Sequence, residues 1–151
     1  SEISTGIVIC PVQDIYTAVH NNNLITSSFD YEQIEIADKE DYLISCEDNL
    51  DLLDVFSNEK VLFRNKNQFC KDIISLGFST FDGVITTAPF AHDRLAYEPI
   101  VKYMGGTVST LDGSQIGMFD ENVVTLVCKS EKVKKDIVSK ITKVNSNYKI
   151  A

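Results

Sequence analysis

The sequence predicts a layered α/β domain, a mixed sheet with helices packed on it. Three observations carry that expectation. The opening stretch is rich in short β-branched runs, and after it short apolar runs alternate with stretches of helical periodicity. A late run, Val123-Val124-Thr125-Leu126-Val127, is apolar with almost no alternation, as expected of a strand covered on both faces.

Taken in order, TGIVICPV at 5–12 and IYTAV at 15–19 predict two strands joined by Gln13 and Asp14 as a two-residue hairpin turn. The polar stretch from Asn21 to Ser28, with its Asn-Asn-Asn run, suits a loop. Weak strands follow at Gln33–Ala37 and Asp41–Cys46. Ser45 with Asp48 three residues later gives a partial capping signal for a helix at Asn49–Phe56. Lys60–Phe63 reads as a short strand, and 66–76 as a helix with Phe69, Ile73 and Leu76 inward and Gly77 as its stop. Phe81–Thr87 is a strand ended by Ala88-Pro89. Asp93–Met104 is a helix closed by Gly105-Gly106, and Pro99 inside it predicts a kink or restart near Leu95, because proline removes a backbone bond. Thr107–Leu111 and Asn122–Cys128 are strands. Ser130 caps a last helix at 131–143, with Val133, Ile137, Val138 and Ile141 on the core side.

Size and charge bound the function classes. The chain has 151 residues, 44% of them hydrophobic, and reads as one domain over 1–151 with enough apolar content for a core. Its 14 basic residues against 22 acidic ones leave a formal charge of −8, which disfavours nucleic acid and anionic membrane surfaces as partners. No apolar run approaches the roughly 20 residues of a membrane helix, and nothing reads as a signal peptide. Cys10, Cys46, Cys70 and Cys128 lie far apart without a CxxC pair, so they read as small buried hydrophobes in a reducing compartment, with the cytoplasm as the expected location, and not as a zinc site. The chain opens at Ser1 without a methionine, which fits a fragment, a processed chain or an incomplete record.

One segment stands out: Phe81-Asp82-Gly83-Val84-Ile85, then Ala91-His92-Asp93, then the helix to Gly105-Gly106, then Asp112-Gly113. Asp93 stands at the start of a helix and at the carboxyl side of a strand. It is either a helix cap favoured by the dipole or a metal ligand. His92 reads as a pocket wall or surface residue in preference to a base, and Arg64 as an ion-pair partner in preference to a phosphate ligand. The carboxylates of Glu47–Asp54 fit a solvated helix face, and Tyr16, Tyr31 and Tyr42 fit half-buried strand positions.

The run HDRLAYEPIVKYMGGTV resembles the signature near the carboxyl end of the inositol monophosphatase family, where a Trp-Asp or similar pair opens a helix ending in Ala-Gly-Gly. TGIVICPVQDIYTAV resembles the family's strand-turn-strand after its metal loop. Phe63-Arg64 resembles its arginine before a substrate-side helix, at a spacing to Asp93 that matches without insertion. VVTLVCKS resembles its last strand. The likeness covers nearly all of this chain but only the carboxyl-terminal half of a family member.

The resemblance implies a domain similar to that half, with Asp93 as a magnesium ligand and Asn67, Gln68, Thr86 and His92 around the substrate. The family's upstream glutamate and Asp-Pro-x-Asp-Gly-Thr loop, which hold most of the magnesium and the phosphate, are absent: Asp82-Gly83 and Asp112-Gly113 lack both the Asp-Pro and the Thr. The expectation is therefore a Mg-dependent phosphomonoesterase half, acting on a small phosphorylated metabolite of inositol, sugar or histidinol phosphate type only when the amino-terminal half is supplied. This chain by itself is expected to be inactive, since one aspartate cannot build the cation cage. Departures from the pattern bear on the substrate. Asn67-Gln68-Phe69 replaces the family's Gly-Ser/Thr-Ala turn, Thr86 replaces a glutamate and His92 replaces an aromatic. Those at 67–69 and 86 favour an alternative, an inactive relative serving as a binding or oligomerisation module, whereas related histidinol phosphate and sugar phosphate phosphatases vary at the His92 position. Either reading expects a homodimer or association with an amino-terminal half.

Overall fold

A computed structural model describes residues 5–10, 15–26, 42–46, 61–65, 73, 81–88 and 90–140. The weak strand at 33–37, the helix at 49–56 and Tyr31 lie outside them, as does all of the helix at 66–76 except Ile73, which is helical and buried.

The layered α/β architecture is present, with two sheets among the described residues. The first is an antiparallel meander of β1 (Thr5–Cys10), β2 (Ile15–His20) and β3 (Asn23–Thr26). Its β1–β2 ladder closes on Cys10 opposite Ile15, so four residues separate the paired ends and not the two of a Gln13-Asp14 turn. Proline at 11 has no N–H to continue the ladder. The strand β3 falls within the stretch expected to be loop. Asn21 and Asn22 take φ of 47° and 59°, and His20 pairs with Asn23 across them. Two left-handed residues between paired ends make a tight hairpin of the kind asparagine tolerates. The polar run is therefore a turn followed by a strand.

The second sheet contains β4 (Tyr42–Cys46), β5 (Val61–Asn65), β6 (Gly83–Ala88), β7 (Thr107–Thr110) and β8 (Val123–Cys128), in the order β5-β4-β6-β8-β7. Strand β4 runs parallel to β5 and β6, whereas β8 runs antiparallel to β6 and β7. Helix α1 (Ala91–Tyr103) follows β6, and α2 (Glu131–Lys140) follows β8. The sheet lies between two cores. Tyr42, Ile44, Cys46, Ile85, Leu126 and Cys128 face Val133 and Ile137 of α2. On the other side Val84 and Val127 face Tyr97, Ile100 and Val101 of α1, which in turn meet Val8 and Val19 of the meander. Leu126 and Val127 alternate between these cores, so the continuous apolar run is covered on both faces as expected. The layers run meander, α1, five-stranded sheet, α2.

Helix α1 runs as one helix across Pro99, so there is no restart near Leu95. The proline ring is buried against β1, where a Cβ on Gly6 would stand 3.1 Å from Pro99 Cγ and 2.4 Å from the Ala96 carbonyl oxygen. Packing of the ring against a bare backbone offsets one missing helical bond. The helix ends as predicted at the glycine pair. Gly105, at φ +79°, donates to Lys102 O at 3.0 Å, and Gly106 donates to Val101 O at 2.9 Å. These are the two bonds of a Schellman end. Ser130 Oγ accepts the Val133 N–H at 3.2 Å, the predicted cap of α2.

Candidate functional site

Strand β6 ends at Ala88, and Phe90, extended at φ −121° and ψ 141°, is the N-cap of α1 without a side-chain bond. Asp93 is therefore not the cap. It is the third helical residue, its N–H donating to Phe90 O at 3.2 Å, and its carboxylate sits in the first turn, where the helix dipole favours negative charge. The side chain is 43% exposed, and His92 Nε2 lies 3.6 Å from Asp93 Oδ1 with its own side chain 78% exposed. The imidazole stacks on Phe90, ring centroids 5.3 Å apart and planes 8° apart. Asp93 is thus an open carboxylate beside a surface histidine, not half of a buried ion pair.

The next residue points inward. Arg94 is 1% exposed and donates to three carbonyl oxygens, Gly117 at 2.6 Å, Met118 at 2.9 Å and Asp120 at 3.0 Å, with Glu98 Oε2 at 4.0 Å from its Nε. The Gly117–Asp120 turn is closed internally as well: Gly117 N–H donates to Asp120 Oδ2 at 2.8 Å, and Asp120 N–H to Gly117 O at 3.1 Å. Arg94 ties the first turn of α1 to the segment joining β7 and β8. Sequence reading missed it because an arginine in a helix ordinarily counts as surface; the surplus of carbonyls in a turn without helix or strand was the available signal.

Both Asp-Gly pairs have structural work. Asp82 is 3% exposed; its carboxylate accepts the Leu43 N–H at 3.0 Å and lies 3.5 Å from Lys129 Nζ, while its backbone bonds Leu43 and Lys129. It joins β4 to β6 and the end of β8. Asp112 accepts hydrogen bonds from Thr110 Oγ1 and, at 2.9 Å, from Ser114 N–H, and these hold its carboxyl below the usual carboxylate range. It shapes the turn after β7.

The other predicted site residues scatter. Thr86 lies opposite Thr125 inside the β6–β8 ladder and has 0% exposure, so it shares no open surface with Asp93. Asn67 and Gln68 lie outside the described residues, and Arg64 is placed on β5 opposite Ser45. Among the described residues no group of three or more His, Cys, Asp or Glu side chains is placed to hold a metal ion. A cavity of about 270 Å³ opens elsewhere, beside the edge strand β7, lined by Glu98, Lys102, Thr107, Ser109, Ser114 and Lys134 among others; Asp93 is not among its lining residues. Cys46 and Cys128 are both buried, and burial pushes the Cys128 thiol above its ordinary range. No helix among the described residues is long and apolar enough to cross a membrane.

No protein-family model matches the sequence, and no curated protein matches it. Solved structures do match. An inositol monophosphatase family protein from Staphylococcus aureus MSSA476 superimposes at a TM-score of 0.71 and 19% identity, over 97% of this chain and 60% of that one. A calcium-bound family protein from Staphylococcus aureus gives 0.69 and 17%, over 95% and 56%. An IMPase/NADP phosphatase complexed with Mg2+ and phosphate gives 0.68 and 16%, over 90% and 52%. The chain spans a little over half the length of the structures it matches. From the meander to α2, the chain is thus similar in fold to a little over half of an inositol monophosphatase structure.

Proposed function

We propose that this chain is the carboxyl-terminal half of a magnesium-dependent phosphomonoesterase of inositol monophosphatase type, completed by an amino-terminal half that brings the rest of the metal cage. The observation that carries the reading is Asp93, a solvent-open carboxylate in the first turn of α1 just beyond the end of β6, in a fold otherwise seen in calcium- and magnesium-bound phosphatases. Magnesium takes six oxygens in near-octahedral order and keeps several waters. One exposed carboxylate fits as a single corner of that set and cannot be the whole of it. When bound, the ion supplies charge neutralisation and an acidified water. Asp93 holds its corner, and the dipole of α1 keeps its charge favourable. The Phe90–His92 stack forms a wall beside it, and Arg94 fixes the neighbouring turn. Thr86, having no open surface, shapes the site from behind, while Asn67 and Gln68 belong to the alcohol side.

The test is turnover. Combined with an amino-terminal half, the chain should hydrolyse a small inositol, sugar or histidinol phosphate in the presence of magnesium, and Asp93→Asn should abolish this. Full turnover with asparagine at 93 would overturn the assignment. The second reading, an inactive binding or oligomerisation module, is favoured by the enclosed Thr86 and by the bulky Asn67-Gln68-Phe69. It expects no turnover with any amino-terminal half.

A further inference from the structure

The cavity of about 270 Å³ has walls from three elements: Glu98 and Lys102 of α1, Thr107 and Val108 of β7, and Lys134 of α2. Strand β7 is an edge of the five-stranded sheet, and an edge strand carries unpaired backbone groups. The fold closes the positions on either side of Val108. Thr110 N–H turns away from β8 and donates to Ser114 O at 3.0 Å, and Gly106 N–H is taken by Val101 O at 2.9 Å at the end of α1. Backbone groups alternate between the two edges of a strand, so the N–H and C=O of Val108 point out of the sheet as those of Thr110 do. Among the described residues nothing pairs with them. Thr107, also on the wall, has a buried hydroxyl that lacks a hydrogen-bond partner among the described residues. The cavity therefore offers an unmet donor and an unmet acceptor on one residue.

Charge sets the sign of what would fill it. The chain carries a formal −8, yet two lysines and one glutamate line this wall. Glu98 is itself shared, with Oε1 2.9 Å from Lys102 Nζ and Oε2 4.0 Å from Arg94 Nε, so one carboxylate faces two cations. Lys134 pairs with Glu131 at 2.9 Å, and its side chain is only 18% exposed; an ammonium shielded from water attracts an anion more strongly than one in bulk solvent. Asp93 stands nine positions before Lys102 on α1, about 14 Å along the axis at 1.5 Å per residue. The cavity is thus separate from the candidate metal corner. Its volume lies just under the roughly 300–1,000 Å³ of drug-sized sites, which suits a small metabolite and excludes a dinucleotide.

We propose that this cavity binds a small anion that also carries a hydroxyl, of the hydroxycarboxylate or polyol phosphate kind. The negative group faces Lys102 and Lys134 and accepts from Val108 N–H, while the hydroxyl donates to Val108 C=O. The site stands apart from Asp93 and does not depend on the phosphatase reading.

The test is titration of the isotope-labelled 151-residue chain with malate and, separately, with glycerol phosphate, followed by amide chemical shifts. At least one should give saturable shifts at Val108 and Gln115 and none at 91–93, and the tighter of the two names the anionic group. Removing the hydroxyl, as in succinate for malate or ethyl phosphate for glycerol phosphate, should weaken binding about fivefold, and Lys102→Gln/Lys134→Gln should weaken it roughly tenfold. Lys102→Gln alone, at a side chain 53% exposed, should act in the same direction if the double variant does not fold. No saturable shift at Val108 with either probe at millimolar concentration, shifts reproduced by chloride at matched ionic strength, shifts at 91–93 in place of Val108, or affinity indifferent to the hydroxyl or to the lysines would each overturn the proposal.

Discussion

Replacing Arg94 with methionine keeps the length and apolar bulk of the side chain but removes a guanidinium that holds three carbonyls, those of Gly117, Met118 and Asp120, at 2.6 to 3.0 Å. Hydrogen bonds to a charged group contribute about 1.5–3 kcal/mol each, so a simple sum overstates the loss. Gly117 and Asp120 are exposed, and their carbonyls can turn to water once released. The buried methionine also avoids the desolvation the guanidinium bears. The net destabilisation is expected at about 2–4 kcal/mol, or roughly 5–15 °C in melting temperature for a chain of this size. It should be local as well as global: amide exchange at Gly117 and Asp120, whose turn Arg94 closes, should accelerate far more than in β8. Arg94→Lys, with one point charge for three acceptors, should recover only part of the loss. A methionine variant melting within about 1 °C of the parent, with unchanged exchange in that turn, would refute the clamp, since it predicts several times that shift.

Further expectations follow from single contacts. Gly106→Ala should destabilise by about 1–3 kcal/mol through overpacking, because its Cβ would stand 2.7 Å from Cys128 O and 2.8 Å from Val101 Cγ1. Gly105→Ala, with nothing within 4 Å but φ at +79°, should cost about 1–2 kcal/mol through conformation alone, and Gly105→Asn should cost less; urea titrations distinguish the two. Tyr42, held by burial and by its bond to Asp136 Oδ2 at 2.7 Å, has its pKa pushed up to about 12. The folded state keeps that proton where the unfolded chain loses it, so stability is fully present below about pH 10 and falls as pH rises toward 12, by up to about 2–3 kcal/mol. Tyr42→Phe should flatten this alkaline slope in denaturant titrations. Asp93→Asn, at an open first-turn position, should change stability by no more than about 1 kcal/mol, and a larger drop in urea midpoint would mean a structural role.

Much of the fold was legible because its signals are local. The alternation of apolar runs located β4, β5, β6, β7 and β8 within a few residues. Glycine at 105 and 106 and serine at 130 marked helix ends through backbone chemistry that needs no knowledge of neighbours. What escaped depends on tertiary partners. The stretch from Asn21 reads as loop because β3 is only four residues long and follows directly on an Asn-Asn-Asn run. Pro99 suggests a kink or restart of α1, and the helix does not restart, since nothing local reveals that its ring packs against the bare backbone of Gly6. Arg94 and Asp82 are charged residues whose partners lie 24 and 39 positions away in the chain, at Met118 and Leu43, so no window over the sequence links them. In the candidate site, the sequence puts Asp93 at the start of a helix as either a cap or a metal ligand, and the cap reading fails because Phe90, which has no capping chemistry to announce it, occupies that position. Thr86 was picked by alignment to a family glutamate, and alignment does not report that its side chain is enclosed.

The central claim, that Asp93 is one corner of a divalent-cation site completed outside these residues, is tested most directly by binding of Mn2+ as a spectroscopic stand-in for magnesium. Titrations followed by electron paramagnetic resonance would compare this chain alone, this chain with an amino-terminal half, and the same pair carrying Asp93→Asn. The chain alone should bind no ion tightly, the pair should bind, and the variant pair should lose at least tenfold in affinity for one ion while remaining assembled. Tight binding to the chain alone, or an unchanged titration in the variant pair, would contradict it.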